Sequence, residues 1–380
     1  MREGWEYKKL GEVAFYPNKR ISLSELMPDE YVGVECMVKD KGGVAFSDEL
    51  PNVDTAIEFE ENDILIGNIR PYLKKIWLSD KRGGASGDVV NIRVAEEYKE
   101  YLSACYLYKV LSTDAFFEYD NSNTHGAKMP RGDRKAIAEY RIPIPPKSTQ
   151  LAIVAELDQI NDLIRLKKEQ LKEYDNLAQS IFYDMFGDPV ENEKGWEVKK
   201  LGDVCEIGTG STPNRKNKDY YIGNIPWVKS TEVCNGFIDE TQEMISDEAL
   251  AQTNCTIYPK DSVLIAMYGQ GKTRGQVAIL KIDACTNQAV AAMMPSECIS
   301  ANFLFYHLRL LYENIRGMAR GGNQANLNLT LVKSIKIILP PLQQEFSSRM
   351  EQIEKLKAEV QKTITDLETL LASRMQYWFE

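Results

Sequence analysis

Apolar residues recur at steps of three and four through an unbroken stretch, Lys147 to Phe186: Leu151, Val154, Leu157, Ile160, Ile164, Leu171, Tyr174, Ala178, Ile181 and Met185. That spacing predicts an amphipathic helix with a coiled-coil-like stripe. The stretch contains neither glycine nor proline. Ser148 or Thr149 is placed to cap its start behind Pro145-Pro146, and Gly187 to take the left-handed position after its end. At 1.5 Å per residue the helix spans roughly 60 Å, about twice an ordinary domain helix. So long a helix cannot be buried in one core, which predicts a spacer, a partner-binding surface, or both.

A second stretch, Leu342 to Glu380, repeats the pattern directly after another Pro-Pro pair, Pro340-Pro341. Its stripe reads Phe346, Met350, Ile353, Leu356, Val360, Ile364, Leu367, Leu371 and Met375. The natural core for each stripe is the other stripe. Leu157, Ile160, Ile164, Leu171, Ile353, Leu356, Val360 and Leu367 are therefore the candidate subunit-interface residues, on the stripes by which the two helices are expected to pack on each other.

The chain between the helices is duplicated. Residues 4–13 (GWEYKKLGEV) and 195–204 (GWEVKKLGDV) agree at eight of ten positions, at an offset of 191. Each half then carries a hydrophobic strand after an aspartate (Asp63, Asp261), a basic turn, and a second strand (Ile76-Trp77-Leu78; Val277 to Leu280). Each closes on an alternating strand before its Pro-Pro pair. The pairs are 195 residues apart, so the two globular parts are nearly equal in length. The expected fold class is α+β: two tandem-repeated globular domains, each followed by a long helix, the helices pairing as an antiparallel coiled coil about a pseudo-twofold axis. The expected boundaries are 1–145, 146–187, 188–340 and 341–380. The interiors of the repeat, 14–62 and 205–260, share little, which suggests one task applied to two targets.

At 380 residues the chain accommodates two domains plus connecting helices. No apolar run reaches bilayer length and the N-terminus shows no signal-peptide core, so a soluble protein is expected. Seven cysteines without any C-x-x-C pair suggest reduced thiols in the cytosol, and two histidines disfavour histidine-based metal chemistry. The net charge of −10 argues mildly against a free-standing nucleic-acid binder. A local basic surface decides that question, and both helices carry more acid than base.

The segment Ala266 to Thr273 (AMYGQGKT) imitates a phosphate-binding P-loop. However, Ala266 replaces the first glycine, and a β-branched run follows where a helix is required. A glycine-rich β-turn displaying Gln270, Lys272, Thr273 and Arg274 fits better. The residues flanking the Pro-Pro pairs do not match an amino-methyltransferase motif, and no glycine-rich cofactor fingerprint or recognisable acid pair or triad is present. What remains is a set of basic, amide and aromatic residues on predicted loops. In the first half these are Arg20, Arg70, Tyr72, Lys74, Lys75, Lys128 and Arg131. In the second they are Thr212, Asn214, Arg215, Lys216, Lys229, the Gln270–Arg274 turn, Asn323 and Gln324. Such side chains read base edges and hold phosphates. Most single surface charges do nothing specific, but this clustering occurs in both repeats.

With these residues in view, the sequence resembles the specificity subunit of a type I restriction–modification enzyme over essentially its whole length. The resemblance rests on GW-E-x-K-K-L-G-[ED]-V opening each half, on Ser211 to Lys229 (STPNRKN…GNIPWVK), on Tyr268 to Gly275, on Thr286-Asn287-Gln288-Ala289, and on the [IL]-P-P boundary before each helix. It implies two target-recognition domains, each reading one half of a bipartite, asymmetric site on double-stranded DNA. It also implies an antiparallel helix pair that fixes the spacing and docks two methyltransferase subunits, with restriction subunits further out. The chain itself is then a non-catalytic cytoplasmic subunit that binds no cofactor or metal. S-adenosylmethionine, ATP and Mg²⁺ belong to its partners. Two rival readings from the residues are a coiled-coil scaffold without DNA and a nucleotide hydrolase using Lys272 and Thr273.

Overall fold

The computed structural model describes residues 4–269, 271–319 and 326–379. The chain divides into two compact units, residues 1–168 with 362–380, and residues 169–361. Each is built on the same frame.

In the first unit a four-stranded sheet runs Ala14–Phe15, Val89–Val94, Ile64–Gly67, Ile76–Leu78 in spatial order, all antiparallel. In the second, the order is Ile207–Thr209, Val290–Met293, Val263–Ala266, Val277–Leu280, with Gly236–Ile238 added in parallel at the edge. Both central strands follow the aspartate that the repeat marked. Their side chains alternate between two cores, because successive residues of a strand point to opposite faces. Val263, Ile265, Val277 and Ile279 enter the core on the helix side, while Leu264, Ala266, Ala278 and Leu280 enter the other. Ile64 and Ile66 likewise face the helices, and Leu65 the opposite side. A sheet buried on both faces needs apolar residues at every position, which is why these strands read as unbroken hydrophobic runs.

A smaller sheet flanks each large one. It runs Arg20–Ser22, Thr55–Phe59, Gly83–Ala85, Tyr31–Val32 in the first unit, and Glu243–Ile245, Ile225–Val228, Cys285–Thr286 in the second. The GWE-x-KKLG segments pair antiparallel with the strands before each Pro-Pro, Glu6–Lys9 on Arg141–Ile144 and Val198–Lys200 on Lys336–Ile338. The repeated motif therefore closes each domain on itself.

The long helices are continuous over Lys147–Phe186 and Gln343–Phe379. The first starts ahead of the expected Ser148 or Thr149 cap: the amides of Thr149 and Gln150 donate to the Pro146 carbonyl. The buried Gln150 side chain ties the helix to the domain, donating to the carbonyls of Tyr101 and Pro145 and accepting from the Ser103 amide. Gly187 ends the helix at φ 77°, as its position predicted.

Within each unit the two helices run in opposite senses. In the first, Glu156 pairs with Arg374 and Lys168 with Glu368. In the second, Asp175 pairs with Lys357, and Phe182 lies against Phe346. Each domain core thus takes the beginning of one helix and the end of the other. Ile153 and Leu157 join the first core, with Leu371, Met375, Trp378 and Phe379 packed against it. Phe346, Met350 and Ile353 enter the second core alongside Ala178, Phe182 and Phe186. Of the expected stripe, Leu157, Ile160, Ile164, Ile353 and Val360 are buried, Leu171 and Leu367 half-buried. Leu151 and Leu356 are corrections: they are 54% and 43% exposed; at Leu151 the cause is that the first domain core takes Ile153 instead, while nothing in the structure explains Leu356.

Candidate nucleic-acid interface

The basic turn of the first domain follows the central strand. Arg70 (φ 55°) and Lys74 (φ 50°) flank the one-turn helix Pro71–Leu73, both in the left-handed region. Two more non-glycine residues with positive φ, Asp40 and Lys41, sit on the adjoining loop. The Asp40 amide donates to the Leu73 carbonyl (2.9 Å) and the Lys41 amide to the Lys74 carbonyl (2.8 Å). For L-residues this conformation costs roughly 1–2 kcal/mol each. Such strain survives where surrounding bonds over-determine the backbone, and it gathers at functional sites. A second loop lies alongside: Arg70 donates from its amide to Pro130, and His125 and Arg131 exchange backbone bonds of 2.9 Å each.

These loops bring Arg70, Tyr72, Lys74 and Arg131 together, with Tyr72 52% exposed. Lys74 pairs with Asp114, and Arg131 with Asp88. Lys75 turns inward, its ammonium donating to the Val34 carbonyl. Lys128 is exposed on the second loop. Arg20 lies on the smaller sheet, donating to Thr55. Lys41 joins Lys74 on Asp114, a grouping that sequence pattern alone gave no signal for.

In the second domain the corresponding turn leads from Val263–Ala266 into the strand Val277–Leu280, so no helix follows it. Arg316 secures it: Nη1 donates to the carbonyls of Gly271 and Arg274, both at 3.0 Å, while the Tyr312 hydroxyl donates to Lys272. Lys272 is exposed, and Thr273 and Arg274 are half-buried. Gln270, Asn323 and Gln324 lie outside the described residues.

The Ser211–Lys229 segment folds as a knot around Trp227, which is buried. The indole donates to the Ser211 carbonyl, and the Tyr221 hydroxyl to the Pro213 carbonyl. Gly210 admits the crossing chain, since a Cβ there would stand 1.7 Å from the Thr286 carbonyl oxygen. Thr212 bonds the Gln288 side chain, and Asn214 accepts from the Lys216 amide. Lys216 is exposed. Arg215 lies over the rings of Tyr221 (4.3 Å) and Trp227 (4.9 Å). It and Lys229 share the carboxylate of Glu243, which they hold below the usual carboxylate range. Neither Glu243 nor Arg316 stands out in the sequence.

Among the described residues no group of His, Cys, Asp and Glu could hold a metal ion, no helix is long and apolar enough to cross a membrane, and the seven cysteines are free thiols.

Two sheet-and-turn domains, each offering strained or clipped cationic loops and each sharing both long helices, define a duplicated recognition module. The chain belongs to the family of type I restriction modification DNA specificity domains, whose model matches residues 2–174 and again 193–369. It is 26% identical over 268 residues to the MjaIX specificity subunit of Methanocaldococcus jannaschii, covering 65% of this chain and 62% of that protein. It is 25% identical to the MjaVIII specificity subunit of the same organism, covering 93% and 87%. With the Escherichia coli EcoR124I/EcoR124II specificity subunit the identity is 26%, covering 59% and 58%. The chain thus spans about three-fifths of the MjaIX and EcoR124 relatives it matches. A solved chain from work on complex assembly and conformational transition of the type I R-M system shares the fold, with a TM-score of 0.62 at 20% identity, covering 100% and 98%. An S subunit from M. genitalium does so at a TM-score of 0.56 and 16% identity, covering 98% and 95%.

Proposed function

We propose that this chain is the sequence-reading, non-catalytic subunit of a type I restriction–modification complex. Each domain reads one half of a bipartite site on double-stranded DNA. The observation that carries this reading is the repeated frame: the same sheet order twice, with a cationic turn leaving the equivalent strand each time. The interiors around those turns differ, as two different half-sites require.

The domains 1–145 and 188–340 are the readers, and the helices 146–187 and 341–380 are the spacer. DNA rises about 3.4 Å per base pair, so readers on one face favour half-sites about one helical turn apart. Two methyltransferase subunits dock on the helices, and restriction subunits join further out. S-adenosylmethionine, ATP and Mg²⁺ are bound by those partners, in the cytoplasm. The acidic total of the chain is accommodated if the methyltransferases close around the DNA and add basic surface.

The test is a mobility-shift assay with the purified chain, with and without methyltransferase. Weak binding alone and high, sequence-specific affinity in the complex are expected. Equal, specific affinity in both states contradicts the shared-surface account. Binding of ATP by the chain alone would favour the hydrolase reading. DNA modification untouched by alanine at Arg70, Lys74, Lys229 and Lys272 would favour the scaffold.

A further inference from the structure

Among the described residues four carboxylates each sit between two cations; Asp175, between Lys357 (3.1 Å) and Arg309 (3.8 Å), lies where the two long helices meet, and burial separates the other three. Glu58 holds Lys19 and Arg82, but its side chain is 4% exposed, so it cannot leave. Glu243, holding Arg215 and Lys229, is 30% exposed, and Arg215 is also packed on two rings. Asp114, between Lys41 (2.8 Å) and Lys74 (2.9 Å), is 57% exposed. It is not needed as a helix cap, since the Thr113 hydroxyl accepts from the Phe116 amide.

The backbones beneath both cations are fixed. Lys41 and Lys74 both have left-handed backbones, and the Lys41 amide bonds the Lys74 carbonyl at 2.8 Å. The carboxylate they share is exposed, and exposed ion pairs are weak and exchange readily. Two ammonium groups carried on a constrained backbone around one displaceable oxyanion, beside the exposed Arg70, suit a backbone phosphate of DNA.

We propose that Lys41 and Lys74 form the phosphate clamp of the first domain, and that Asp114 occupies the phosphate position until DNA displaces it. This rests on the DNA-reading function proposed above and adds to it a contact, Lys41, and an internal competitor, Asp114. Binding then exchanges one anion for another, so the clamp contributes register on the duplex and less affinity than two lysines without Asp114 would.

The test is fluorescence anisotropy of a labelled mixed-sequence duplex of about 30 base pairs with the intact chain, over a salt series starting near 50 mM. Asp114→Asn is expected to bind about 3-fold tighter at the lowest salt, with the slope of log K against log salt steeper by about 1. Lys41→Ala is expected to bind more weakly with a shallower slope, and to abolish the gain when combined with Asp114→Asn. Asp114→Asn binding no tighter than the parent, at an unchanged melting temperature, overturns the clamp. So does Lys41→Ala with the parent slope, which decides the matter should Asp114→Asn fail to fold. If the parent chain binds no duplex even with methyltransferase present, the DNA-reading function falls and the clamp with it. If the parent binds and the variants match it, only the clamp falls.

Discussion

Two buried titratable side chains give the domains opposite responses to acid. Asp120 is 1% exposed and neither carboxylate oxygen has a hydrogen-bond partner, and burial pushes its pKa up to about 6. The folded state therefore holds a proton that the unfolded state releases near 3.8, so stability is lost as pH rises from about 4 through 6. His307 is the reverse. Its Nε2 accepts from the Ile338 amide, and burial pushes its pKa down to about 3. Unfolding lets it protonate near 6.5, so its contribution is complete above that pH and is lost as pH falls toward 3. Asp120→Asn should stabilise the first domain by ~2–3 kcal/mol at pH 8 and little at pH 4. Peptide-resolved hydrogen exchange across a pH series checks this, and equal destabilisation at both pH values would refute it. In the same series His307→Leu should remove the acid sensitivity of the second domain below pH 6.5, while weakening it by ~1–3 kcal/mol throughout by leaving the Ile338 amide unpaired. Neither residue announced itself in the sequence. One of three acids on a short helix and a lone His in an apolar run acquire their character only from what folds over them. Lys41 and Glu243 were hidden similarly, since ion-pair partners 14 to 73 residues apart leave no local pattern. Arg70 and Lys74 were legible because they share a short turn after a recognisable strand.

At the scale of elements, the helix limits were readable because nothing but glycine and proline interrupts such stretches, and Gly187 sits where the first helix ends. The buried face was less so. A stripe at steps of three and four fits several registers, and the competition between partner helix and domain core is settled in three dimensions. Phe182 and Phe186 go to the aromatic cluster with Phe303 and Phe346, with centroids 5.0–6.3 Å apart, and carry the face round with them. The end of the second helix has a role that no local motif shows. Trp378 stacks on Trp5 and donates to Glu156, and Phe379 lies against Tyr106. Deleting residues 362–380 should therefore destabilise the first domain, at the far end of the sequence. Losing four packed apolar side chains there costs several kcal/mol, given ~3–5 kcal/mol for one fully buried aromatic. Hydrogen exchange should quicken in Ala104–Leu111 and Ile64–Gly67, while Val263–Ala266 stays protected. Loss of protection confined to the second domain would contradict this packing.

For the whole molecule, the duplication was legible from one ten-residue repeat and two Pro-Pro pairs, because those segments close each domain by the same strand pairing. The loops within the frame diverged, so their contacts were not. On the proposed function, the frame and the loops have separable effects. Inserting one helical turn near Lys168 should lengthen the non-specific spacer in the methylated site and leave both half-sites intact. Retention of the original spacer would mean that the helices do not set it. The most direct measurement is single-molecule methylome sequencing of a strain in which residues 205–335 are replaced by the matching segment of another specificity subunit. The account predicts that one half-site changes while the other half-site and the spacer length remain. A change in both halves, or in neither, would contradict it.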